Sequence, residues 1–183
     1  ENYASAITAA GVKQVVNLSR VGAHLPDGVG PVSGLHRAEK ALNTLTGVNI
    51  LHLRPAYFYQ NLLANISLIK GMGIIGANFS AAPGKFPIVA TDDIAAVAAE
   101  ALLSLDFHGH TIRYIASDET GTDQIAQVLG AAIGKPDLAW VKFTDEQALG
   151  GMIQAGLPEE AAKNYAEMNH AIDTGSMYAD YFN

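Results

Sequence analysis

Ser19 follows an apolar run that ends at Leu18, and His36 and Lys40 stand four residues apart in the next helical stretch. A serine hydroxyl just past the C-terminal end of a parallel strand sits on the rim where open α/β sheets take ligands. There it can orient a carbonyl. Residues i and i+4 share a helix face, so an imidazole at 36 and an ammonium at 40 can face that rim together. Such a lysine can hydrogen-bond a ribose and lower the pKa of a neighbouring proton donor. The plainer reading makes Ser19 the start of a loop and Lys40 one solvated charge beside Arg37 and Glu39.

The elements that position these residues are legible in outline. Residues 2–10 are Ala-rich and read as a helix that Gly11 stops. The segment 12–18 reads as a strand covered on both faces, because Val15, Val16 and Leu18 form a nearly continuous apolar run. Residues 22–34 carry four Gly, two Pro and an Asp, which makes them a loop. A helix is expected over 35–45, a strand over 48–53 closed by Pro55, and a helix over 58–69 with Leu62, Leu63, Ile66 and Ile69 on its apolar face. Strand, crossover helix and strand define a βαβ unit, hence an α/β fold with a partial Rossmann-like parallel sheet, flanking helices and a small, mostly helical C-terminal lobe.

Further on, a short strand or loop is expected over 73–80, then a Pro-containing turn. A helix over 94–105 follows, capped by Asp92 or Asp93. A strand fits 111–116, and a helix 124–133 ends at Gly134 with Pro136 beyond. Thr144 and Gln147 have capping-box spacing, and Pro158 opens a last helix.

Composition limits the function classes. With 183 residues, 49% hydrophobic and 16% charged, the chain can bury one substantial core. It has no apolar run long enough to span a bilayer. A net charge of −7 without a basic stripe disfavours nucleic acid. No cysteine is present, which removes disulfides, thiolate zinc and thiol catalysis, and a cytoplasmic location is expected.

Two motifs invite chemistry that their context opposes. Gly71, Gly73 and Gly76 match a dinucleotide fingerprint letter for letter. That fingerprint needs a strand before it and a helix N-terminus after it, whereas here a helix precedes and Ala81-Ala-Pro-Gly84 follows. The glycines read instead as a helix stop feeding a short strand. His108-Gly-His110 reads as a turn and not as a metal site, so no metal is expected. Tyr57, Phe58 and Tyr59 can stack on a flat ring, although helical spacing turns at least one of them to the core. Met152, Met168, Met177, Tyr165, Tyr178, Tyr181 and Phe182 can line a pocket or pack a lobe.

Read together, the segments 10–19, His36-Arg-Ala-Glu-Lys40 and 53–63 resemble the NmrA-like branch of the atypical short-chain dehydrogenase/reductase families. The stretch 92–102, with its Asp-Ile-Ala, and the stretches 129–136 and 156–161 extend the resemblance from about Ala10 to Ile172. It implies a Rossmann-like NAD(P)-binding domain over 1–116, with 64–92 contributing to a substrate lobe completed by 117–183. It also implies hydride transfer to a quinone-like or other flat electron-poor molecule, with NADP or NAD as cofactor.

By position, Lys40 matches the family lysine and His36 stands where a tyrosine is usual. Lys40, His36 and Ser19 are then the catalytic candidates. Ser19, Lys40, Pro55, Ala56, Tyr57 and Phe58 are the cofactor-binding ones, and His36, Asn61 and Tyr59 face substrate. A histidine in place of the phenol departs from the classical chemistry, which keeps open a non-catalytic NAD(P)-responsive sensor.

The family's first strand and Gly-rich turn have no counterpart in these residues, so an upstream phosphate-binding segment is expected, or else a truncated remnant without autonomous cofactor binding. The strand at 12–18 would then expose an edge. Self-association or a companion N-terminal fragment is the expected result.

Overall fold

Five residues of one strand run parallel to a second in unbroken register, from Gln14 opposite Asn49 to Leu18 opposite Leu53. This pair organises the computed structural model, which describes residues 2–183. The chain opens with α1 (Asn2–Ala10), β1 (Gln14–Leu18), α2 (Ser33–Leu42), β2 (Asn49–Pro55) and β3 (Tyr57–Phe58). It continues through α3 (Ile66–Met72), β4 (Ile75–Ala77), β5 (Phe86–Val89), α4 (Thr91–Ser104), β6 (His110–Ile115) and β7 (Asp118–Thr120). The last part holds α5 (Thr122–Ala132), β8 (Trp140–Lys142), α6 (Asp145–Gln154), α7 (Glu159–Asp173) and α8 (Ala179–Phe182). Among the described residues no helix is long and apolar enough to cross a membrane.

The main sheet has the order β1-β2-β6, all parallel, which confirms the α/β class and the βαβ unit. β2 is central and almost wholly buried, whereas β1 lies at the edge of the sheet, half-buried with Leu18 58% exposed, and is not covered on both faces as its apolar run suggested. A second sheet, β3-β5-β7, mixes parallel and antiparallel pairing, and β4 pairs with β8. The core beneath joins Val21, Val29 and Val32 of the loop after β1 to Phe79, Phe86, Met168, Met177 and Tyr178. Tyr57 and Phe86 have ring centroids 4.9 Å apart, and Phe79 and Trp140 5.4 Å. Each such buried aromatic contributes about 1.5–3 kcal/mol by burial. Met168, Met177 and Tyr178 are therefore core, while Tyr165 and Phe182 stay largely exposed.

Several local expectations need correction. The helix expected over 58–69 splits into a 3-10 stretch, Tyr59–Asn65, and α3. Buried Asn65 accepts a hydrogen bond from the Gly76 amide at 3.0 Å, a tertiary tie that periodicity does not reveal. The change of period leaves Leu63 and Ile66 exposed while Leu62 and Ile69 pack inward. Neither Asp92 nor Asp93 caps α4. That helix begins at Thr91 after Ala90, whose amide donates to Ser117 Oγ at 2.9 Å, and the hydroxyl in turn donates to Asp93.

β5 lies where a Pro-containing turn was expected to run directly into a helix. Pro158 is the N-cap of α7 and not its first helical residue. The Thr144–Gln147 capping box forms as expected.

The glycine run behaves as a helix stop. Gly73 is the left-handed cap of α3 at φ 69°, and β4 follows. A Cβ on Gly76 would lie 2.1 Å from the Val141 carbonyl oxygen, so close strand pairing, not phosphate approach, explains that glycine.

His52, 1% exposed on β2, ties three elements together. Asn17 Nδ2 donates to His52 Nδ1 at 2.9 Å, and His52 Nε2 donates to Asn43 Oδ1 at 3.0 Å. This pattern is complete with a neutral ring. Burial, opposed by the Glu39 charge and aided by Arg54, holds the His52 pKa below its usual 6.5. His24 is lowered too, chiefly by burial.

When pH falls below 6.5 the unfolded chain takes up protons that these native histidines refuse, so stability drops. Glu39, held below its usual 4.5 for reasons given below, adds a second loss as pH falls through that region. Urea midpoints should therefore hold near pH 8 and decline in two stages towards pH 4. A midpoint at pH 5.5 equal to that at pH 7.5 would contradict this.

Candidate active site

The C-terminal ends of β1 and β2 remain locked together beyond the strands. Ser19 N donates to Leu53 O at 2.8 Å, and Val21 N donates to Pro55 O at 3.0 Å. α2 forms the crossover between these strands and brings its inner face to the same rim. The inner residue is Glu39, which is 5% exposed. Ser19 Oγ donates to Glu39 Oε1 at 2.5 Å. Arg54, at the end of β2, grips both carboxylate oxygens, Nε to Oε1 at 3.0 Å and Nη2 to Oε2 at 2.6 Å. Such a planar fork is among the stronger charge-assisted pairings.

Arg54 also reaches outward. Its Nη1 donates to Tyr114 Oη and to Asp180 Oδ2, both at 2.9 Å, and the Tyr114 hydroxyl itself donates to Asp180. A continuous polar chain thus runs from β1 through α2, β2 and β6 to α8. Burial pushes the Glu39 pKa up, but the bonds from Arg54 and Ser19 outweigh it and leave the carboxylate below its ordinary range. Burial likewise opposes the Arg54 charge, yet Glu39 and Tyr114 raise its pKa overall. Burial, aided by the bond to Asp180 and opposed by Arg54, pushes Tyr114 up to about 12.

This network decides where the expected site residues stand. Ser19 meets Glu39 and not Lys40, and its single O–H is spent there, leaving the oxygen as an acceptor. His36 Nδ1 donates to Ala23 O at 2.9 Å, which leaves Nε2 as the free nitrogen of the ring. Lys40 is exposed and, among the described residues, has no ion-pair or hydrogen-bond partner. It shares a helix face with His36 by the i, i+4 spacing.

Pro55, Ala56 and Tyr57 are buried, and Phe58 and Asn61 are half-buried. Ala56 N donates to Ile115 O at 2.9 Å, so the backbone of this stretch is a rigid ledge. Tyr57 is the aromatic that turns to the core, while Tyr59 is 39% exposed.

Glu39 and Arg54 were not among the residues singled out from the sequence. Their only local signal is an acid beside Lys40 and an arginine before Pro55. His108 and His110 flank Gly109, a turn residue at φ 67°, and among the described residues no three His, Asp or Glu gather as a metal site. An open cleft of about 340 Å³ is lined by Asp106, His108 and Thr111 near the start of β6. It lies away from the strand ends where parallel sheets take ligands, so the rim remains the better candidate.

The sheet order and the parallel crossovers define a Rossmann-like α/β fold. No family model matches the chain. Its sequence is 28% identical over 171 residues to an agroclavine dehydrogenase of Claviceps fusiformis, covering 91% of this chain and 56% of that one. It is 29% identical over 164 residues to the NAD(P)H azoreductase of Xenophilus azovorans, covering 90% and 56%.

Among solved structures, the NADPH-dependent quinone oxidoreductase of Escherichia coli complexed with NADPH superposes with a TM-score of 0.81 at 21% identity, covering 98% of this chain and 62% of that chain. A triphenylmethane reductase of Citrobacter sp. gives 0.75 at 25% identity, covering 96% and 60%. NmrA, a negative transcriptional regulator in complex with NADP, gives 0.65 at 16%, covering 93% and 53%. The fold is that of the NmrA-like, atypical short-chain dehydrogenase/reductase proteins, and the resemblance read from the sequence holds. The chain spans about half the length of the curated relatives it matches.

Proposed function

We propose that this chain forms the nicotinamide-side part of a cytoplasmic NAD(P)H-dependent reductase whose substrate is a flat, electron-poor molecule such as a quinone. The observation that supports it best is the rim itself. Two consecutive parallel strands end side by side, a rigid ledge at Pro55–Phe58 follows, and Lys40, without a partner among the described residues, lies on the crossover helix next in sequence to Glu39, which meets Ser19 at the rim. The relatives at 28–29% identity, a dehydrogenase and an azoreductase, carry the same general chemistry in their names.

The residues present fit the nicotinamide half of a dinucleotide. Lys40 would hold the ribose, since it has three donors and no competing carboxylate. Ser19 offers its oxygen as acceptor, and Pro55, Ala56, Tyr57 and Phe58 would frame the ring. His36 would face the substrate with Asn61 and Tyr59 and, as the imidazolium with Nε2 also protonated, pass that second proton to a reduced oxygen. When bound, the cofactor would supply the hydride. The chain's own contribution is orientation and exclusion of water along a preorganised ledge.

NADPH oxidation with a quinone acceptor, followed spectrophotometrically, tests the reading. Lys40→Ala should weaken NADPH binding about tenfold, or roughly 1.4 kcal/mol, with the melting temperature unchanged. Equal affinity in the variant would remove Lys40 from the site. Tight NADPH binding without turnover for any quinone would favour the sensor reading, for which the histidine in place of a phenol is the motivating observation.

A further inference from the structure

Arg20 is a second cation near the rim, besides Lys40, that meets no carboxylate among the described residues. It follows Ser19 directly, and the bond from Val21 N to Pro55 O holds its backbone against the ledge. Its guanidinium carbon lies 5.9 Å from the centre of the Phe58 ring. Among the described residues it has no ion pair and no side-chain hydrogen bond, and its Nε is buried without a partner. Arg54, on the neighbouring strand, is satisfied by two carboxylates and a phenol. In a chain of net charge −7, an arginine left uncovered beside a candidate site stands out against that arrangement.

A buried guanidinium nitrogen without an acceptor is unfavourable, and an acceptor arriving from outside would relieve that cost. A cation with an unused donor beside an aromatic face can receive a flat ring that carries an acidic oxygen.

We propose that Arg20 is the specificity-determining residue of this site and pairs with a carboxylate on an aromatic substrate lying against Phe58. This rests on the reductase reading for the location of the substrate but not for its test. The preferred acceptors are then acidic aromatic molecules, and uncharged quinones of the same shape are poorer ligands. Arginine suits the task better than lysine because its fork matches both oxygens of a carboxylate.

The test uses a matched pair, anthraquinone-2-carboxylate and anthraquinone-2-carboxamide, titrated into the protein by calorimetry without dinucleotide. The carboxylate should bind at least tenfold more tightly. Arg20→Gln should bring the two affinities within twofold of each other, and Arg20→Lys should keep part of the preference, with near-wild-type melting of either variant confirming the fold. Equal affinities for the wild-type protein, no binding of the carboxylate, or a preference unchanged in Arg20→Gln would each overturn the proposal. So would an Arg20→Gln variant that loses NADPH affinity while keeping the carboxylate preference, since Arg20 would then serve a cofactor phosphate. NADPH turnover is scored separately, so its absence beside an intact carboxylate preference counts against the reductase reading alone.

Discussion

Arg54→Ala is expected to destabilise the fold by on the order of 3–5 kcal/mol, the usual penalty for stranding one partner of a buried ion pair. The reason lies in what remains. Glu39 would keep its carboxylate at 5% exposure with only the Ser19 hydroxyl to answer it. Tyr114 and Asp180 would lose the cation that ties β6 and α8 to β2.

The charge itself is not the source of net stability, because desolvating two ions offsets much of their attraction. A double variant, Glu39→Leu with Arg54→Met, should therefore recover a large part of the loss. Urea denaturation of the single and double variants gives the coupling directly. A single-variant loss below about 1 kcal/mol would mean that the network is solvated and contributes as surface pairs do.

That network also marks the boundary of what the sequence discloses. The βαβ unit around Ser19 and α2 was legible because its signals are local: an apolar run, a glycine-rich loop and a proline at the end of the next strand. The misses that matter for the rim involve partners far apart in the chain. Glu39 and Arg54 are 15 residues apart, and Arg54 and Asp180 are 126 apart. Nothing in helical spacing announces that Glu39 turns inward while Lys40, the next residue, faces solvent.

Asn65 broke the expected helix through a bond to Gly76, and Asp93, expected as a cap, accepts instead from the Ser117 hydroxyl. Periodicity sees which face of an element is apolar. It does not see which polar side chain will replace a turn's own hydrogen bond. The rim residues, by contrast, lie at the ends of strands whose order the crossover dictates, so the ledge could be located before any of its contacts were known.

Gly30→Ala should be nearly as damaging as Arg54→Ala, on the order of 3 kcal/mol, since backbone strain and a clash act together at one residue. Gly30 has φ 54°, and an added Cβ would sit 2.0 Å from the Asn164 carbonyl oxygen in α7 and 3.3 Å from Met168 Cβ. An α7 carbonyl cannot rotate aside as a flexible side chain would.

Gly28 provides the control. It has φ 73° but nothing within 4 Å of the added methyl, so Gly28→Ala should cost only the left-handed strain, about 1–2 kcal/mol. The difference between the two variants isolates the close approach of this loop to α7. The same loop carries Ala23, whose carbonyl accepts from His36, and it begins at Arg20. Displacing it should therefore weaken ligand binding at the rim as well as stability, whereas Gly28→Ala should leave binding intact. Thermal melts and NADPH titrations of both variants would decide the matter, and equal melting temperatures would show that the loop does not need α7 to hold its shape.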